Sequence, residues 1–179
     1  MFLSEVVDQT FKKLKTQTAN LITLSNLSLG GFAIISILHN QLNLSLLLIF
    51  IAALTDRFDG MVARRLNIES ELGKQLDSMS DLISFGVAPA LLLYTAVLNQ
   101  FDVPGMFFTI FYIGCGAFRL ARFNISENDG YFTGLPITVA GCLLTLCYFA
   151  IPFVSSVLVL SMTIILSILM ISPFTFRKV

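Results

Sequence analysis

The sequence predicts an all-α integral membrane protein: six transmembrane helices preceded by an N-terminal amphipathic surface helix. Composition supplies the first two observations behind that expectation. Of 179 residues, 56% are hydrophobic and the mean hydropathy is +0.86. Only 12% are charged, about half of the roughly 25% usual in a soluble domain. The third observation is that the positive charge is distributed in a way that suits one particular number of spans.

Taken in order, residues 1–16 carry Phe2, Leu3, Val6, Val7, Phe11 and Leu14 at helical spacing, with Glu5 and Asp8 early and Lys12, Lys13 and Lys15 late. That order suits the helix dipole. The pattern predicts a helix lying on the membrane surface, and the plainer alternative is a solvated lead-in segment. These residues contain no apolar core of the kind a cleavable signal peptide has, so none is expected. Apolar runs then cover about 20–38, 44–64, 76–98, 104–122, 134–150 and 154–172. Each is close to the ~20 residues, or about 17 at the short end, that a spanning helix needs. The fifth and sixth runs are parted only by the turn around Ile151 and Pro152. No repeat, low-complexity tract or linker divides the chain, so residues 1–179 are expected to form one domain with its bundle over 20–172.

Six spans place the N-terminus, the second-to-third and fourth-to-fifth connections and the C-terminus on one side. The eleven basic residues are Lys12, Lys13, Lys15, Arg57, Arg64, Arg65, Lys74, Arg119, Arg122, Arg177 and Lys178. All fall in those segments or at helix ends facing them. The connections around His39, Asp102 and Pro152 hold no lysine or arginine. The positive-inside rule makes the basic side cytoplasmic, which in a prokaryote means the cytoplasmic membrane. Five or seven spans would scatter the charges over both faces. A formal net charge of zero argues against a nucleic-acid partner. Cys115, Cys142 and Cys147 lie in apolar stretches without metal-type pairing and read as packing residues.

Four aspartates stand out against this background: Asp56, Asp59, Asp77 and Asp81. Ionisable groups at membrane depth are costly and are usually kept for function. Asp56 and Asp59 are three apart near the end of the second helix, and Asp77 and Asp81 are four apart at the start of the third. Each pair therefore shares a helix face. A short connection makes the two helices antiparallel, so the pairs can meet just inside the cytoplasmic boundary. Four converging like charges become tolerable when hard divalent cations sit between them. A metal site is expected first, and phosphoryl chemistry second. Gly60, Ala63 and Gly73 let a helix or ligand approach closely, and Arg64 is placed to meet a phosphate. The bland alternative is a set of interfacial salt bridges to Arg57, Arg64, Arg65 and Lys74.

Written out, the pattern is D-x2-D-G-x2-A-R-x8-G-x3-D-x3-D from Asp56 to Asp81. It resembles the signature of the CDP-alcohol phosphotransferases at every fixed position. The resemblance implies transfer of a phosphatidyl-type group from a CDP-linked lipid to an alcohol, with release of CMP. It implies that Asp56, Asp59, Asp77 and Asp81 organise Mg2+ or Mn2+, commonly two ions, and that Asp81 is the general base. It also implies a homodimer. Asn20, Thr23 and Asn26 form a polar stripe on the first helix, similar to the family's P-N-x-x-T-x-x-N stretch, with Ala19 in place of the proline. In the family this stripe borders the nucleotide. Without the resemblance, helix–helix hydrogen bonding explains it equally well. Together with Asp56, Gly60, Ala63, Arg64 and Gly73 it forms the expected CDP-lipid site.

The acceptor is indicated by two further segments. Ser80 to Ala90 reads S-D-L-I-S-F-G-V-A-P-A; F-R-L-A-R-F-N from Phe118 is followed by Y-F-T-G-L-P from Tyr131. Both resemble the phosphatidylserine synthase branch, which implies CDP-diacylglycerol and L-serine as substrates. Serine carries a carboxylate, and Arg119 and Arg122 are the available cations for it or for the lipid phosphate. Ser84 and Asn124 are candidates for further polar contacts. The same chemistry with glycerol 3-phosphate or inositol phosphate is the nearest alternative. A divalent-cation transporter is the distant one, since helices 2 and 3 carry no acids beyond the ladder. His39, the sole histidine, falls in an outward loop and is expected to bind nothing.

Overall fold

The computed structural model of the protein describes the backbone of residues 2–66, 71–125, 131–173 and 175–177, and the side chains of 20–58, 61, 71–125 and 134–173. Helix α1 is Phe2–Leu38 and α2 is Leu42–Leu66. A third rod consists of α3 (Glu71–Asp81), a π-helical turn (Leu82–Val87) and α4 (Ala88–Ala96). After a 3₁₀ turn at Leu98–Phe101 come α5 (Val103–Ile125), α6 (Ile137–Ala150) and α7 (Ser156–Ile171). Two short strands, β1 (Tyr131–Thr133) and β2 (Thr175–Arg177), pair antiparallel with Phe132 opposite Phe176. Short connections make successive rods antiparallel.

The expected surface helix is not set apart from the first apolar run. Helix α1 continues unbroken from Phe2 to Leu38, and T-Q-T-A-N at residues 16–20 offers neither proline nor glycine to interrupt it. The side chains of residues 2–16, on which the amphipathic pattern rests, lie outside those described. The C-terminus of α1 is closed by Asn40 at φ 58°. The Asn40 N–H bonds Ile37 O at 2.9 Å and the Gln41 N–H bonds Ser36 O at 2.8 Å, the pair of bonds that defines a Schellman cap.

The interior is filled by Phe85, Leu92, Leu93, Tyr112, Leu144 and Met170, all fully buried. Large apolar side chains also cover the outside: Phe32, Phe107, Ile110, Leu54 and Val157 are each 59–66% exposed. Water would penalise such a surface, and lipid favours it. Buried hydroxyls are satisfied within their own helices, as Thr109 to Gly105 O, Thr145 to Gly141 O and Ser167 to Thr163 O, each at 2.7 Å. Asn20–Leu38, Glu71–Ala96 and Val103–Ile125 are long and apolar enough to cross a membrane, and α6 and α7 are shorter apolar helices. The chain is an integral membrane protein.

Where the chain enters α6 it packs against the end of α7. Gly134 sits at φ 76°, and a Cβ there would collide with Met170 O, while the Leu135 N–H donates to Leu169 O at 3.0 Å. Gly134→Ala is therefore expected to destabilise the protein by about 1–3 kcal/mol, seen as a lower thermal midpoint in detergent. Gly31→Ala, whose Cβ would meet nothing within 4 Å, should be neutral or slightly stabilising.

Candidate metal and phosphate site

The site is built where α2 runs antiparallel to α3. Asp77 and Asp81 project from one face of α3, and Asp56 faces them from α2. Carboxylate oxygens of these three residues all lie within 4.8 Å of one another. Asp81 is half-buried as a residue, but its Oδ1 is fully enclosed and has no hydrogen-bond partner. At that separation each pair of charges repels by about 3–4 kcal/mol in a medium of effective dielectric ~20. The folded chain holds them together nonetheless. An all-oxygen donor set with an orphaned buried oxygen fits a hard divalent cation such as Mg2+ or Mn2+. Asp59 follows Asp56 by three residues on α2. Its side chain, with Gly60, Ala63 and Arg64, lies outside those described.

Helix α1 closes one side. Ser80 Oγ donates to Thr23 O at 3.2 Å, and Ser84 Oγ donates to Asn26 O at 3.1 Å. These bonds hold α1 against α3 and the π-helical turn; along the polar stripe Asn20 is half-buried, Thr23 is 5% exposed and Asn26 is 1% exposed. The helix–helix bonds use the backbone carbonyls of α1, so Asn26 Oδ1 stays buried with no hydrogen-bond partner. Gly73 is half-buried at the start of α3.

Helix α5 brings the cations. Arg119 is 8% exposed, its Nε buried with no hydrogen-bond partner, and it interacts electrostatically with Asp81 and Arg122. Arg122 donates through Nη1 to Ile171 O at 3.5 Å, while its Nη2 is buried with no partner. Both guanidinium groups thus keep a buried nitrogen without a partner, a costly state that a bound anion would relieve.

Two expected contact residues have other work. Ser84 is fully buried and its hydroxyl is committed to Asn26 O. Asn124 joins α5 to α3: its Nδ2 donates to Ser78 Oγ at 2.9 Å, and its backbone carbonyl accepts from Lys74 Nζ at 3.3 Å. Lys74 also lies over the Phe123 ring, 6.0 Å from its centroid, a second tie between α3 and α5. Ser78 and Ser80 were not singled out by sequence reasoning, although the D-S-M-S-D spacing puts both among the acids.

The chain is similar to known proteins along most of its length. The profile of the CDP-alcohol phosphatidyltransferase family matches residues 16–173, and the chain belongs to that family. The CDP-diacylglycerol–serine O-phosphatidyltransferase of Bacillus subtilis is 41% identical over 130 residues, covering 72% of this chain and 73% of the relative. The Helicobacter pylori protein of the same name is 38% identical over 172 residues, 89% of this chain and 73% of its own length. An archaetidylserine synthase from Methanothermobacter thermautotrophicus is 38% identical over 164 residues, 89% of this chain and 69% of the relative.

Proposed function

We propose that this protein transfers the phosphatidyl group of CDP-diacylglycerol to L-serine, giving phosphatidylserine, or its archaetidyl counterpart, and CMP. The observation that carries the proposal is a cluster of three aspartates, one with an enclosed and unpartnered oxygen, beside an arginine with an unsatisfied buried nitrogen, in a chain of this family. Asp56, Asp59, Asp77 and Asp81 would hold Mg2+ or Mn2+, taken as two ions; such ions when bound neutralise the pyrophosphate and stabilise the departing phosphate. Asp81 accepts the proton of the serine hydroxyl. The serine oxygen forms a bond to the lipid-side phosphorus, the bond from that phosphorus to the CMP oxygen breaks, and CMP leaves.

Arg119 and Arg122 divide the serine carboxylate and lipid phosphate between them. Asn20, Thr23, Asn26, Gly60, Ala63, Arg64 and Gly73 line the CDP side. An apolar groove beside Arg122, lined by Phe118, Ala121 and Ile125, suits an acyl chain attached to a phosphate held there. Residues 1–179 act as one domain, its six rods spanning the bilayer, with both termini and the site on the cytoplasmic side. The amphipathic first residues rest on that surface, and the working unit is a homodimer. The charge asymmetry between connections supports this orientation.

CMP release by purified protein in detergent tests the activity, with CDP-diacylglycerol, Mg2+ or Mn2+, and L-serine, glycerol 3-phosphate or inositol phosphate in turn. Release that requires serine and stops with EDTA is expected. Release with a different acceptor would overturn the assignment to serine, and no release from folded protein would overturn the transferase.

A further inference from the structure

Immediately after Asp81 the helix changes register. The α-helical donor for Phe85 O would be the N–H of residue 89, but that residue is Pro89, which has no N–H and whose ring crowds the carbonyl four residues back. The chain answers with the π turn Leu82–Val87, in which the Ala88 N–H bonds Ile83 O, five residues away. Single π turns are rare and favour functional sites. Each uses one extra residue, so everything beyond it is rotated by about 100° relative to a continuous α-helix.

The carbonyl freed by Pro89 is not left unpaired. Tyr112 on α5, fully buried, donates its hydroxyl to Phe85 O at 3.2 Å. From the other side α6 passes directly over the same peptide: a Cβ on Gly141 would lie 2.5 Å from Phe85 O and 2.8 Å from Phe85 Cα. The Ser84 hydroxyl bonds α1. The turn is thus gripped by α1, α5 and α6, and its first neighbour in the chain is the carboxylate that completes the acid cluster.

We infer that Tyr112 is a positioning residue: by capping the Phe85 carbonyl that Pro89 leaves without a donor, it holds the π turn directly after Asp81 and so fixes the end of α3 from which Asp81 meets Asp56. The inference rests on the role proposed above for Asp81. A carboxylate displaced by a fraction of an ångström still binds, but less well, and reaction rates are sensitive to displacements of that size.

Two substitutions test it, each read by steady-state kinetics, by Mn2+ titration followed by EPR without substrates, and by thermal midpoint in detergent. Tyr112→Phe removes only the hydroxyl. It is expected to lower kcat about tenfold and weaken Mn2+ binding severalfold, with the KM for serine and for CDP-diacylglycerol changed less than about twofold. Pro89→Ala restores an N–H for Phe85 O and lets the turn close to α register. It is expected to reduce kcat and Mn2+ affinity at least as much while the thermal midpoint stays level or rises. A merely structural role would lower the midpoint or the folded fraction and leave the Mn2+ affinity of folded protein untouched. Asp81→Asn serves as the reference. Wild-type Mn2+ binding and kcat in Asp81→Asn would remove the metal-site proposal and this inference with it. Loss in Asp81→Asn alongside wild-type values in both other variants would overturn the role of Tyr112 alone.

Discussion

Asp81→Asn is expected to cut serine-dependent CMP release by about 10³-fold or more, in protein that remains folded. Two losses combine. The amide cannot take the serine proton, a contribution usually worth about 10²–10⁴-fold. It also removes one of the three charges that converge within 4.8 Å, weakening the affinity for a divalent cation. The substitution should raise the thermal midpoint of the metal-free protein, because it relieves repulsion with Asp56 and Asp77. Steady-state kinetics over a range of Mn2+ and thermal denaturation in EDTA check the two halves. Near-normal turnover would rule Asp81 out as the base.

Much of this site could be read from spacing alone. Helical periodicity puts Asp77 and Asp81 on one face, and a short connection brings Asp56 opposite them, so the cluster follows from the chain without tertiary detail. The apolar runs likewise foretold the last three rods to within a few residues, as in 104–122 against Val103–Ile125 and 154–172 against Ser156–Ile171. What spacing could not give was partner choice. Ser84 and Asn124 are polar residues near the acids, and spacing does not name the partners that their side chains take in the fold. Which polar group turns to a helix and which to a ligand depends on neighbours distant in sequence, here Asn26, 58 residues from Ser84, and Ser78, 46 from Asn124. The π turn was half legible, since Pro89 announces an orphaned carbonyl at Phe85, but nothing nearby names Tyr112 as its donor. The continuity of α1 through residue 19 was missed because a change from charged to apolar composition looks like a boundary, whereas the backbone is interrupted only by residues that break helices.

Arg119→Ala is expected to give the other large effect, raising the KM for serine by about 30- to 150-fold. That corresponds to about 2–3 kcal/mol for a charge-assisted contact in a buried site. Arg119→Lys should recover only part of it, because an ammonium cannot reproduce a bidentate guanidinium contact. The KM for CDP-diacylglycerol measured in the same variants separates the roles. A serine-specific change gives Arg119 the carboxylate. A change confined to CDP-diacylglycerol gives it the lipid phosphate and hands the carboxylate to Arg122, whose Nη1 is tied to the end of α7.

Helices α6 and α7 contain 14 and 16 residues, which at 1.5 Å per residue gives rods of about 21 and 24 Å. A typical hydrocarbon layer is about 30 Å thick. As spans they would be shorter than that layer, a mismatch that local thinning of the bilayer can meet at a cost of a fraction of a kcal/mol per ångström. Since α7 ends against Gly134, Leu135 and Arg122, that mismatch bears on the mouth of the site. Turnover in reconstituted vesicles is accordingly expected to rise as the acyl chains of the surrounding lipid are shortened and the bilayer is made thinner.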